Sequence, residues 1–162
     1  MPSGTEMLIF RTDTLVKLLH VLAATVFVGN LIGTLIWKVA AEASGEELVI
    51  RHMLKTAILF DAVVTIPCSI AITLSGIWLG WNYWNQRAYP SWLSISIALW
   101  VVSAVLATAV LIPWLKRLSR LSVTHLGSQS HEYLTLSRWW NILAITLIVS
   151  PLLILSLMVL RP

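Results

Sequence analysis

The chain has 162 residues, of which 58% are hydrophobic and only 11% charged, with a mean hydropathy of +0.86. Soluble domains carry charge on about a quarter of their residues, so this composition excludes an aqueous globular fold and requires lipid as solvent. The net charge of +4 and pI near 9.6 would suit a nucleic-acid binder, but the Lys and Arg residues sit at the ends of apolar spans, where they read as topology signals and headgroup anchors; no nucleic-acid partner is expected.

The N-terminal stretch MPSGTEMLIFRTD lacks a basic region and a small-residue cleavage site, so no removable signal peptide is expected. The first span, about residues 14–38, contains the run from Leu15 to Lys38, about 24 residues or roughly 36 Å of helix, enough to cross a bilayer with some tilt. Thr12 or Asp13 is expected to cap it. Ser44 and Glu47 then form an S-x-x-E pattern, a capping box opening the second helix. That helix enters lipid over about residues 56–82, broken only by Asp61 and Pro67. Trp78, Trp81, Tyr83 and Trp84 make an interfacial aromatic belt.

Pro90 and Ser91 read as a stop and an N-cap for the third span, about residues 92–115. Beyond Pro113, Leu115, Leu118 and Leu121 alternate with Lys116, Arg117 and Arg120, an amphipathic pattern that either leaves the membrane or lies along its surface. Gly127 to Ser130 is turn-like, and a fourth helix starts near His131 and crosses lipid over about residues 139–160. The expected fold is all-α: one membrane domain over residues 1–162, an antiparallel four-helix bundle. Of the 11 Lys and Arg residues, seven fall on one side (Lys38, Arg51, Lys55, Lys116, Arg117, Arg120, Arg138) and four on the other (Arg11, Lys17, Arg87, Arg161). The positive-inside rule then puts both termini outside, in a multi-pass protein of a bacterial inner (cytoplasmic) membrane.

His20 lies about five residues below the outer boundary, too deep to reach water easily, and needs a partner. Imidazole is a haem and metal ligand, and a helix bundle can hold a b-type haem. Lys17, one turn further out on the same face, would pair with a propionate, and Met158 is the conventional sixth ligand at that depth; there is no second histidine there. The other reading is that His20 only hydrogen-bonds a serine or a backbone carbonyl of a neighbouring helix. The single Cys68 excludes both a disulfide framework and CxxCH haem attachment.

Asp61 is the second buried charge. At 100° per residue it shares one side of its helix with Thr65, Cys68, Ile72 and Ser75, a polar seam expected to face the bundle interior. Pairing with Arg138, Lys38 or Asn141 is its expected role, with proton relay or counter-ion as the alternative. Pro67 and Pro151 are expected to kink their helices. His52, His125 and His131, with Glu132, match no metal spacing and read as interfacial. Gly29 with Gly33, and Gly76 with Gly80, have small-xxx-small spacing. Gly29 and Gly33 point about 180° from His20, which suggests a homodimer or a larger complex.

The whole chain resembles a bacterial family of four-helix integral membrane proteins catalogued as a domain of unknown function. The residues that carry this are LVKLLHVLAATVFVGNLIGT, FDAVVTIPCSIAITLSGIWL and the stretch from RWWN to LMVLRP. The His20 helix and the Pro67 to Trp78 segment are also distantly similar to HemJ-type protoporphyrinogen oxidases and to the CopD membrane domain. The HemJ-type resemblance implies a b-type haem on the first-helix histidine, matched by His20. Those oxidases also carry a functional lysine near the start of the third helix, where this chain reads SWLSISIALW with Ser94 and Ser96; the Met and His ligands of copper traffic are missing too. Two functions stand open: haem-based electron transfer in a membrane redox complex, or a cofactor-free accessory or scaffolding subunit. A small transporter has little support without an internal repeat.

Overall fold

The computed structural model describes the backbone of residues 4–84, 90–122 and 130–160, with side chains from residue 12 onward except 83 and 84. Helix α1 is Gly4–Ser44 and α2 is Glu47–Phe60, which passes through a π turn, Asp61–Thr65, into α3, Ile66–Trp84. Helix α4 is Ser91–Leu106, followed by a second π turn, Ala107–Leu111, and by α5, Ile112–Leu121; α6 is His131–Leu160. Among the described residues all regular structure is helical. Four stretches are long and apolar enough to span a membrane: Thr12–Ser44, Glu47–Asn82, Ser91–Leu121 and His131–Leu160. Consecutive spans are antiparallel. One end of the bundle carries the two termini, and the other carries the turn at Gly45, called here the terminal end and the turn end.

Helix α1 does not begin at a Thr12 or Asp13 cap. Nothing between Gly4 and Ser44 breaks the helix, so both lie inside it, and the Asp13 carboxylate instead accepts a hydrogen bond from Asn82 Nδ2 at 3.2 Å, tying α1 to α3 at the terminal end. The expected capping box is not formed either. Gly45 takes a left-handed φ of 69°, a conformation glycine adopts without a Cβ clash. It ends α1 so abruptly that Ser44 closes that helix, donating to the Ala41 carbonyl at 2.7 Å. The residue flanking α2 is then Glu46, in extended conformation and without a side-chain cap. At the start of α4 the extended flanking residue is Pro90, and Ser91 is already helical.

The two π turns share one sequence context: each lies directly before an Ile–Pro pair, Ile66–Pro67 and Ile112–Pro113. A helical proline lacks an N–H donor, and its ring collides with the carbonyl four residues back. Widening the preceding turn accommodates it, and the Ile66 and Ile112 N–H groups bond to the Asp61 and Ala107 carbonyls in the i to i−5 pattern. Pro151, buried inside α6, is handled differently. The carbonyl it deprives of a donor is that of Leu147, and Ser150 Oγ donates to it at 3.3 Å, a substitution that membrane helices use for freed carbonyls.

The apolar core is concentrated at the turn end, where Ala41, Ile50, Leu54, Ala57, Leu115, Leu118 and Tyr133 converge from four helices, α1, α2, α5 and α6. The stretch beyond Pro113 continues the third span instead of lying along the surface. Leu115 and Leu118 are fully buried while Lys116, Arg117 and Arg120 are exposed, so the amphipathic pattern serves packing against α2 and α6. Toward the terminal end the bundle is organised as two close pairs, α1 with α3 and α4 with α6. They are joined by an edge-on contact of Phe27 with Trp100, 5.5 Å between centroids, and by Trp100 Nε1 donating to Thr73 Oγ1 at 3.1 Å. Long apolar side chains on the outside, such as Leu15, Leu74, Ile77 and Val159, are more than half exposed, as lipid contact requires. Trp78 and Trp81 are exposed near the terminal end of α3; the Tyr83 and Trp84 side chains lie outside the described residues, as do Arg11, Arg87, His125, Gly127 and Arg161.

Candidate functional site

One face of α1 carries polar residues every four positions: Asn30, Thr34, Lys38 and Glu42. Such spacing stacks them along one side of the helix, and α2–α3 and α6 pack against that side. Three polar clusters result.

The first is at the turn end. Lys38, 1% exposed, donates to Glu42 Oε1 at 2.8 Å, to Ser137 Oγ at 2.6 Å and to Asn141 Oδ1 at 2.8 Å. These use all three ammonium donors. Glu42 Oε1 also accepts from Tyr133 Oη at 2.9 Å and from Ser137 Oγ at 2.6 Å. The Lys38 nitrogen lies 5.0 Å from the centre of the Trp140 ring, a cation–π distance. The ion pair is thus neutral overall, saturated with donors and acceptors, and ties α1 to α6. Lys38 is therefore not the headgroup anchor that its place at the end of the first span suggests. The α6 partners of the Lys38–Glu42 pair repeat at the same spacing, Tyr133, Ser137 and Asn141. This matched pair of i, i+4 polar stripes is the sequence signal that a search for isolated intramembrane charges passes over.

The second cluster surrounds Asp61. Its Oδ1 accepts from Thr65 Oγ1 at 3.0 Å, and Thr65 Oγ1 accepts from Asn30 Nδ2 at 2.8 Å. The expected partners Arg138, Lys38 and Asn141 are not bonded to it: Lys38 and Asn141 are bonded to each other, and Arg138 points outward. The physical reason is the Thr65 position one turn along the same helix, which gives the carboxylate a local donor, while Glu42 already holds Lys38. Asp61 lines a small cavity of about 20 Å³ with Thr34 of α1, Leu111 of the second π turn and Trp140 of α6.

The third cluster is at His20, where Nδ1 lies 2.8 Å from Ser75 Oγ. The Ser75 hydroxyl is itself held by the Ala71 carbonyl at 2.5 Å; with its one proton committed there, the oxygen accepts and Nδ1–H donates. Gly76 lies under the ring, and a Cβ there would stand 3.4 Å from His20 Cε1. His20 thus has the serine partner of its simpler reading. The seam from Asp61 through Thr65, Cys68 and Ile72 to Ser75 is buried or half-buried while the residues between are largely exposed, so it faces α1. Lys17 is exposed on α1 and Met158 half-buried on α6.

The remaining predicted positions are dispersed. Gly29 is exposed, and a Cβ placed on Gly29, Gly33 or Gly80 would meet nothing; only Gly76 of the four glycines serves a close contact. His52 and His131 are exposed, and His131 borders an open groove with Trp114, Trp139 and the Arg117–Glu132 ion pair. Among the described residues no three His, Cys, Asp or Glu side chains converge as a metal site.

Four antiparallel membrane-length spans with polar groups tied helix to helix define a polytopic α-helical membrane protein. Over residues 14–162 the chain matches the family described as a predicted integral membrane protein (DUF2269), and it belongs to that family. No curated protein and no solved structure matches it, and the similarity to HemJ-type oxidases and to CopD finds no support in these comparisons.

Proposed function

We propose that the chain is a cofactor-free accessory or scaffolding subunit of a larger complex in a bacterial inner membrane, with both termini outside. The observation that carries this reading is the open glycine pair on α1. Glycine costs roughly 1 kcal/mol relative to alanine in a helix interior, and the bundle's own packing asks for none at Gly29 or Gly33. A partner helix crossing closely at that face does ask for it. Asn30 and Lys38 on the same helix are meanwhile engaged in tying helices together. Replacing Gly33 by Leu is expected to leave the bundle's unfolding unchanged and to dissociate the assembly seen by native mass spectrometry of gently solubilised membranes. A wild-type chain that emerges alone from such membranes contradicts the reading.

A second reading rests on His20. Its Nδ1–H is anchored on Ser75, the arrangement that orients a ligating histidine and leaves Nε2 for the metal. On this reading His20 would be the single histidine ligand of a b-type haem, with Met158 and Lys17 as the further candidates for sixth ligand and propionate partner. Such a group would supply one-electron transfer at the membrane. An absorption spectrum of the purified protein decides it: a Soret band abolished in His20→Ala supports the haem, and its absence after growth with added haem precursor refutes it.

A further inference from the structure

Asp61 is a membrane-embedded acid that forms no ion pair among the described residues. Among the described residues its hydrogen-bond donor is Thr65, which Asn30 supports in turn. Lys38, the basic group on the facing side of α1, is committed to Glu42, Ser137 and Asn141. The surroundings that meet Asp61 across its cavity are uncharged on every side: Leu31 and Thr34 from α1, Leu111 from the second π turn, and Trp140 with three aliphatic residues from α6. An ionised carboxylate in hydrocarbon is retained only with a compensating charge. The cavity of about 20 Å³ exceeds the roughly 10–15 Å³ that one water molecule needs, and Asp61 and Thr34 offer it polar contacts. From there polar residues continue along α1 toward the turn end. Thr34 is one turn from Lys38, whose nitrogen lies over the Trp140 ring that also walls the cavity. Glu42, one turn further, has a side chain 22% exposed at the turn end.

We propose that Asp61 is a proton-binding site, loaded from the turn end through the water-sized cavity between α1, the two π turns and α6. The step is a single proton transfer: a hydronium proton passes by way of the cavity water to Asp61 Oδ2, forming the carboxyl O–H bond and leaving neutral water. No electron moves and no second reactant is consumed. Thr65 keeps donating to Oδ1 throughout, so Oδ2 is the oxygen that carries the proton. The uncharged π-turn segment can then hold the acid in lipid, and the proposal is independent of whether a partner helix docks on Gly29 and Gly33.

The test uses the full chain in phosphatidylcholine vesicles. Infrared spectra are expected to show a protonated-carboxyl C=O band that is lost in Asp61→Asn and shifts rapidly on transfer to D₂O. Ala144→Leu, which fills the cavity, is expected to keep the band and slow its exchange. Dicyclohexylcarbodiimide, which adds to protonated carboxyls in apolar surroundings, is expected to label Asp61 by mass spectrometry, with labelling that falls as pH rises. A folded wild-type protein with no carboxyl band removable by Asp61→Asn overturns the proposal, whether or not the carbodiimide reaches the site. Band exchange unaffected by Ala144→Leu overturns the cavity route. Labelling suppressed by sodium ions at constant pH overturns the proton assignment in favour of a cation.

Discussion

Lys38 shows how a side chain that looks ordinary at the end of a span becomes the most constrained group in the molecule. Desolvating an ammonium is repaid only when every donor finds an acceptor, and here Glu42, Ser137 and Asn141 provide them. Lys38→Met leaves the half-buried Glu42 carboxylate without its counter-charge, and is expected to cost up to about 3 kcal/mol. Adding Glu42→Gln to that variant should recover much of the loss. Equilibrium unfolding in mixed micelles, read as a double-mutant cycle, measures both; independent additivity of the two substitutions contradicts the pairing. The His20–Ser75 contact is of a different order. Interhelical hydrogen bonds in membranes average about 0.6 kcal/mol, so Ser75→Ala is expected to destabilise by about 1 kcal/mol or less, far below the Lys38 variant in the same assay.

At the scale of elements, the chain solves three prolines in two ways. Before Pro67 and Pro113 the backbone widens into a π turn, while Pro151 is compensated by the Ser150 hydroxyl at the Leu147 carbonyl. Widened turns rotate everything beyond them relative to a straight helix, and the first one starts at Asp61, which lines the cavity. The αα connection depends instead on Gly45 and its φ of 69°. Any Cβ is strained there, by about 1–2 kcal/mol, so Gly45→Ala should lower stability by about that amount, whereas Gly29→Ala, inside a helix with open space around it, should not lower it at all. Leu118, 0% exposed on α5, tests whether the end of the third span belongs to the bundle. Leu118→Ala is expected to cost about 2–5 kcal/mol; a loss near zero would mean that α5 lies free on the membrane surface.

For the whole molecule, the packing is uneven. The turn end has a core drawn from four helices and the ion-pair cluster, while the terminal end relies on two helix pairs bridged at Phe27, Trp100 and Thr73. Hydrogen exchange is therefore expected to be slowest near Leu54, Leu115 and Tyr133 and faster toward Ser91 and Leu160. On the proposed orientation the turn end lies inside; the buried Lys38 removes one count from the seven-to-four division of Lys and Arg and leaves its bias unchanged in sign. In a Cys68→Ser background, a thiol introduced at Ser3 should react with an impermeant maleimide added outside, and one introduced at Glu46 should not. The reverse pattern inverts the bundle.

Hydropathy and span length are local quantities summed along the chain, so the four helices, their antiparallel order, the family and the inward face of the Asp61–Ser75 seam were all determined by the sequence. Which polar groups meet was not, because it depends on the depth and rotation of helices far apart in sequence. Only the tertiary structure gave Lys38 to Glu42, Ser137 and Asn141, gave His20 to Ser75, and left Asp61 with Thr65 alone beside a cavity. A π turn adds one residue to a helical turn, invisible to any periodicity count that assumes 3.6 residues per turn, and one such turn separates Asp61 from Ser75 on the same span.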